Sequence, residues 1–200
     1  MADLTTRYLG LHLRSPVVAS ASPLNRDLDA VKRLEAAGAA AVVLPSLFEE
    51  EILQEELGVA RALEAGTEGF AEALDYFPAV DDFADVGERY LADLERIKTG
   101  VGIPVIGSLN ATSTGGWTRY ARLMRDAGAD AIELNLYHVA ADPDRSSLDV
   151  ERDDLAVVAA VRAELDIPLA VKLSPYYSAV AHVATEIVAA GVDGAGAVLR

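Results

Sequence analysis

Apolar residues along this chain alternate between short dense runs and longer stretches in which they recur every third or fourth position. The dense runs predict strands near 17–21, 41–45, 105–109, 131–136, 169–173 and 195–199. The spaced stretches predict helices near 27–37, 83–98, 117–127, 151–165 and 178–190. Within 117–127, Tyr120, Leu123, Met124 and Ala127 keep the i, i+3, i+4, i+7 spacing of a half-buried helix. Strands that are mostly apolar and alternate with helices predict a parallel sheet. Residues 4–13 read as a hairpin ahead of this rhythm. Residues 48–82 interrupt it and read as an inserted loop over one end of the sheet.

Two phrases recur. Leu34 to Leu44, Met124 to Leu134 and Val188 to Ala195 each read as a helix end, a glycine (Gly38, Gly128, Gly191) and a strand. Glycine suits the residue past a helix end because the chain there turns through positive φ. Ile103-Pro104-Val105 and Ile167-Pro168-Leu169 each set a proline before a strand, where it stops the preceding helix. The prolines lie 64 residues apart and Gly128 and Gly191 lie 63 apart, so a unit of two strands and two helices recurs.

Side chains alternate along a strand, and here the alternation separates two chemistries. Ile132, Leu134 and Leu136 oppose Ala131, Glu133, Asn135 and Tyr137; Leu169, Val171 and Leu173 oppose Ala170, Lys172 and Ser174. Ile106, Ser108 and Asn110 share a face, and Ser20 and Ser46 add hydroxyls at the ends of the first two strands. A flat sheet with helices on both faces would bury Glu133, Asn135 and Lys172 without partners, at a cost of several kcal/mol each. A closed or partly closed barrel gives them a polar interior, and polar groups at the carboxyl ends of parallel strands are the usual site of a barrel enzyme. A structural pairing of Lys172 with Glu133 accounts for those two residues but not for the hydroxyls and amides that share their face.

Composition removes several classes. Lys and Arg number 17 against 32 Asp and Glu, a formal charge of −15, and no basic cluster stands out in the sequence, so nucleic acid and anionic membrane are not expected partners. No run is long enough to span a bilayer, and a cytoplasmic setting is expected. There is no cysteine, which excludes disulfides, thiolate metal sites and cysteine nucleophiles. His12 and His182 are scattered, and no metal site is expected. Gly115-Gly116 at a helix start resembles an anion-binding turn but lacks the accompanying lysine or third glycine.

The stretches Tyr8-Leu9-Gly10-Leu11-His12-Leu13-Arg14-Ser15-Pro16-Val17-Val18-Ala19-Ser20-Ala21, Ile132-Glu133-Leu134-Asn135-Leu136 and Ala170-Val171-Lys172-Leu173-Ser174-Pro175-Tyr176-Tyr177 resemble the dihydroorotate dehydrogenase family, in its divergent dihydroorotate dehydrogenase-like branch. The resemblance runs from about residue 4 to the end. It implies an α/β fold, a (β/α)8 TIM barrel, of which about six βα units are present as one partial domain over 1–200. It also implies FMN at the carboxyl ends of the strands. Ala19 and Ser20 would approach the flavin, Asn135 would hydrogen-bond flavin or substrate, and Lys172 would sit by the pyrimidine edge, with Ser46 and Asn110 adding polar contacts. Pro45 stands where family members usually carry a lysine. The family's catalytic cysteine or serine is absent, and His138 occupies the corresponding loop as the candidate base beside Lys172.

The implied activity is an FMN-dependent oxidation of dihydroorotate or a related CH–CH substrate in a pyrimidine-biosynthesis-like setting. Two other readings stand beside it. A Schiff-base lyase would use Lys172 as a neutral amine, which an adjacent Glu133 opposes. A non-catalytic barrel would have lost its flavin. With six strand signals against the eight of a closed barrel, the expected partners are a small-molecule substrate and either further copies of the chain or a complementing C-terminal segment.

Overall fold

The structure is a computed structural model and describes residues 2–55, 57–58, 85–110, 114–137 and 139–197. The chain opens with an antiparallel hairpin, β1 (Thr6–Tyr8) and β2 (Leu11–Leu13). Then follow β3 (Val18–Ala19), a 3-10 turn (Pro23–Arg26), α1 (Leu28–Ala36), β4 (Ala41–Phe48) and α2 (Val86–Gly100). After these come β5 (Val105–Asn110), α3 (Thr114–Asp126), β6 (Ala131–Leu136), α4 (Ser147–Glu164), β7 (Leu169–Leu173), α5 (Val180–Ala189) and β8 (Gly194–Ala197). Strands β3 to β8 form one parallel sheet in sequence order. Residues 49–55 are helical, so β4 runs straight into a helix at the start of the expected inserted loop. The rest of that loop, 59–82, lies outside the described residues.

Several helices begin a few residues away from where the apolar spacing predicts, and capping boxes set the start of two of them, α2 and α4. Asp85 and Glu88 form a reciprocal capping box at the start of α2. Ser146 and Asp149 do the same for α4, four residues ahead of the predicted 151. Gly38, Gly128 and Gly191 all have positive φ, as the repeated phrase requires. The repeat is also cemented by side chains. Asp130 follows Gly128 and accepts from the Val105 N–H at 2.7 Å while pairing with Lys98 of α2 at 2.7 Å. Asp193 follows Gly191 and accepts from the Leu169 N–H at 2.9 Å while pairing with Arg162 of α4 at 3.2 Å. Each aspartate thus ties the start of its own strand to the start of the preceding strand and to the helix that leads into that preceding strand.

The sheet is curled. On its outer face Val42, Leu44, Val105, Leu109, Leu134 and Val171 pack with the helices in one large core. On its inner face Val43, Ile106, Ala131 and Ala170, from four strands, cluster around a single hairpin residue, Leu9. A flat sheet spaces strands about 4.8 Å apart, so β4 and β8 would stand roughly 19 Å from each other. Yet Leu9 belongs to the cluster with Val43 of β4 and approaches β8 so closely that a Cβ on Gly194 would lie 2.6 Å from Leu9 Cδ2. Leu9 adopts positive φ (52°) to reach this position at the amino end of the strands.

One irregularity shapes the inner face. Between β4 and β5 the register shifts after Val43↔Ile106 and resumes at Ser46↔Ser108, leaving one extra residue on β4. Strict alternation from Val43 would turn Ser46 toward the helices; the bulge at Leu44-Pro45 returns it to the inner face. Pro45 has no N–H to offer the ladder. The Tyr90 hydroxyl of α2 fills that gap. It accepts from Ser108 N at 3.0 Å and donates to Ser108 O at 3.3 Å. Burial pushes the Tyr90 phenol far above its ordinary value, so it stays protonated and keeps both roles.

Two stability outcomes are expected. Tyr90→Phe leaves the buried Ser108 N–H and C=O without this partner and should cost about 2–4 kcal/mol in denaturant unfolding. Leu9→Ala empties the inner-face plug and should cost about 3 kcal/mol in the same measurement. A change under 0.5 kcal/mol in either variant would contradict the corresponding contact.

Candidate functional site

Beyond the Leu9 plug the inner face turns polar, one residue pair further along each strand. Ser46 of β4, Ser108 of β5, Glu133 and Asn135 of β6, and Lys172 of β7 point into it. Register explains the meeting: Ser46 lies opposite Ser108, Ser108 opposite Glu133, and Asn135 opposite Lys172. The two hydroxyls are 2.9 Å apart. Asn135 Nδ2 donates toward Ser108 Oγ (2.9 Å), Leu109 O (3.1 Å) and Ser46 Oγ (3.3 Å). Its reach from β6 past β5 to β4 is a further sign of the curl. Lys172 Nζ donates to Glu133 Oε1 at 3.2 Å, and Ser108 Oγ approaches the same oxygen at 3.4 Å. The Lys172 ammonium also lies 6.0 Å from the Tyr137 ring centroid, within cation–π range.

The site is graded in depth. The Glu133 side chain is 10% exposed and that of Lys172 29%, so the carboxylate lies deeper and the ammonium nearer the mouth. Tyr8 of the hairpin, 40% exposed, lies within reach of the Glu133 charge. Burial, with the charge of Glu133 added, raises its phenol above the ordinary value. At the mouth, the Tyr177 hydroxyl donates to buried Asp154 of α4 at 2.6 Å and ties down the loop after β7. Burial and that carboxylate push the Tyr177 phenol up, so it remains a donor.

Of the residues singled out in the sequence, Ser46, Asn135 and Lys172 converge. Asn110 ends β5 on the same face, half-buried and in register with Phe48 at the rim. Ser20 and Ala19 lie at the β3 edge. Ala19 packs toward the helix core, and the Ser20 side chain is exposed, with no hydrogen bond to the Ser46–Asn135–Lys172 group among the described residues. β3 is shorter than predicted because Asn25 takes over beyond Ala19. Its buried amide donates to Ser20 O at 2.9 Å and to Val43 O at 2.8 Å. His138 lies outside the described residues. The Gly115-Gly116 start of α3 is neither an open anion site nor a bare turn. The buried Glu49 carboxylate occupies it, and a Cβ on Gly116 would lie 2.1 Å from Glu49 Oε1. The protein's own anion thus sits at the positive end of the helix.

Sequence reading passed over Ser108, which is the junction of the network, and Asn25 and Tyr90, which repair the strand ladder. Ser108 shares its parity with Asn110, which was signal enough. The other two act only through backbone groups that no pattern exposes. A depression of about 520 Å³ bounded by Thr5, Arg7, His12 and Arg14 lies on the hairpin, at the amino end of the sheet and away from this chemistry.

No family model matches the chain. The catalytic subunit of dihydroorotate dehydrogenase B (NAD(+)) from Thermoplasma acidophilum is 28% identical over 193 residues, covering 92% of this chain and 58% of that protein. The same-named subunit from Methanocaldococcus jannaschii is 26% identical over 201 residues, covering 96% of this chain and 60% of that protein. The chain therefore spans less than two thirds of the length of these relatives. Among solved structures, a phosphonopyruvate hydrolase in complex with oxalate and Mg++ superposes with a TM-score of 0.53 at 16% identity, over 93% of this chain and 59% of that one. A putative phosphonomutase from Burkholderia cenocepacia gives 0.56 at 19% identity, over 92% and 70%. At such identities these likenesses concern the fold alone. With six parallel strands curled around a polar inner face, the chain is divergently similar, along nearly its whole length, to dihydroorotate dehydrogenase B catalytic subunits.

Proposed function

We propose that the polar mouth of the sheet holds the isoalloxazine ring of FMN, within a (β/α)8-type barrel of which this chain forms about six units. The reaction would be the oxidation of a CH–CH bond in dihydroorotate or a related small molecule. One observation carries the reading: Ser46, Asn135 and Lys172, far apart in sequence, meet on one concave face at the carboxyl ends of their strands. The relationship to dihydroorotate dehydrogenase subunits supplies the ligand class.

The donor set fits the pyrimidine edge of such a ring, which carries carbonyl and nitrogen acceptors and one N–H. Lys172 offers the N–H groups that Glu133 does not use. Asn135 spends its amide N–H groups on Ser108, Ser46 and Leu109, and no described residue donates to its Oδ1, which is free to accept from the ring N–H. Ser46 and Asn110 would line the same edge from β4 and β5, and the Ala19 backbone with the Ser20 hydroxyl would close it from β3. When bound, the flavin supplies a two-electron acceptor, and a fixed ammonium favours the charge that its pyrimidine edge gains. His138, two residues past Leu136 at the end of β6, would take the proton released from the carbon adjacent to the one oxidised.

The Lys172–Glu133 contact disfavours the Schiff-base reading, because the lysine nitrogen is engaged by a carboxylate at 3.2 Å and forming an imine would break that ion pair. The setting proposed is cytoplasmic, with a small molecule as substrate.

Added FMN is expected to bind the purified chain and give a yellow protein with shifted flavin bands; a colourless protein that takes up none overturns the proposal. Asn135→Ala should weaken FMN binding about tenfold in a fluorescence titration, the worth of about one hydrogen bond. His138→Ala should leave FMN binding unchanged while abolishing bleaching of the flavin by dihydroorotate. Bleaching at the unmodified rate would remove His138 as the base.

A further inference from the structure

The ammonium of Lys172 does not face the mouth as an isolated charge. Glu133 lies two residues deeper on β6 than Asn135, the register partner of Lys172, so the lysine side chain leans back into the sheet to reach it. The carboxylate is held there from the other side by Ser108, itself held by Asn135. The order through the interior is therefore a buried negative charge, then a positive charge, then the mouth. A ligand at the mouth meets the near end of a dipole whose far end opposes it. No second cation contacts Glu133 among the described residues, and Tyr8 and Tyr90, the phenols that feel its charge, stay neutral.

Resting on the flavin reading above, we infer that Glu133 is a positioning and counter-charge residue: it fixes Lys172 and holds down the preference of the mouth for an electron-rich ring. The depth order makes the sign unambiguous. Removing the carboxylate's charge leaves the ammonium uncompensated, and the reduced, more negative form of the ring gains. Removing the ammonium leaves a buried carboxylate facing the ring, and the reduced form loses. Removing both restores near-neutrality. The depth also separates this role from contact with the ligand. Glu133 lies beneath Lys172 and acts through it and through its field, so its signature is a change in the balance between oxidised and reduced ligand rather than the loss of a direct hydrogen bond.

The test is the reduction potential of FMN bound to the full chain, read by equilibration with a dye of known potential at saturating FMN. Glu133→Gln is expected to raise it, favouring the reduced form about tenfold, which is about 30 mV for a two-electron couple. Lys172→Gln should lower it by a similar factor. The double variant should lie within about threefold of the unmodified protein. If Glu133→Gln does not fold, the step from Lys172→Gln to the double variant measures the same effect and should again be an increase of about tenfold. Potentials that do not move when Glu133 is neutralised, with FMN bound and only thermal stability altered, overturn the inference and leave the flavin reading standing. A wild-type chain that takes up no FMN overturns both.

Discussion

A carboxylate buried on the inner face of a parallel sheet is costly unless the fold brings it a cation and donors. Glu133 sets that condition here, and Lys172 with Ser108 meets it. The pairing requires β5, β6 and β7 to be in one register and the sheet to be curled, since Lys172 must reach back along the concavity rather than out to solvent. The same requirement explains why the inner face is divided in depth. Small apolar residues and Leu9 fill the amino end, where no polar partner is available. The hydroxyls, amide and ion pair are confined to the carboxyl end, where solvent or a ligand can complete their hydrogen bonding.

The bulge at Leu44-Pro45 is the other device on which the site depends. It rotates Ser46 into the polar group at the cost of a gap in the ladder, and Tyr90 closes the gap from the helix layer. Helix α2 is therefore joined to the site through the Tyr90 hydroxyl's hydrogen bonds to the β5 backbone as well as by apolar packing. Asn25 plays the matching role on the other flank of β4, where β3 ends early. Both substitutes for strand pairing surround the same strand, which carries the one register irregularity described in the sheet.

Much of this was legible in the sequence, for a physical reason: strand parity is a strict rule, and Glu133, Asn135 and Lys172 broke the apolar pattern on one parity only. Glycines after helix ends and prolines before strands marked the repeat, and the structure adds Asp130 and Asp193 as its fasteners. What remained hidden depends on geometry that alternation does not encode. The bulge breaks the parity count at Ser46, and Asn25 and Tyr90 answer orphaned backbone groups. The Glu49 carboxylate reaches the start of α3 from a distant part of the chain. At α2 and α4 a capping box, rather than the apolar spacing, set the helix start.

The hairpin carries a consequence for how the chain is made. Leu9 is synthesised before every strand it packs against, and those strands are spread along the chain, up to Gly194. Its burial must wait until those strands have been synthesised and have curved together. In that interval an apolar leucine held in a left-handed turn has nothing to cover it. The hairpin is thus made before the strands it plugs and docks only after them, and nascent chains would remain vulnerable to proteases and to self-association until β8 is in place.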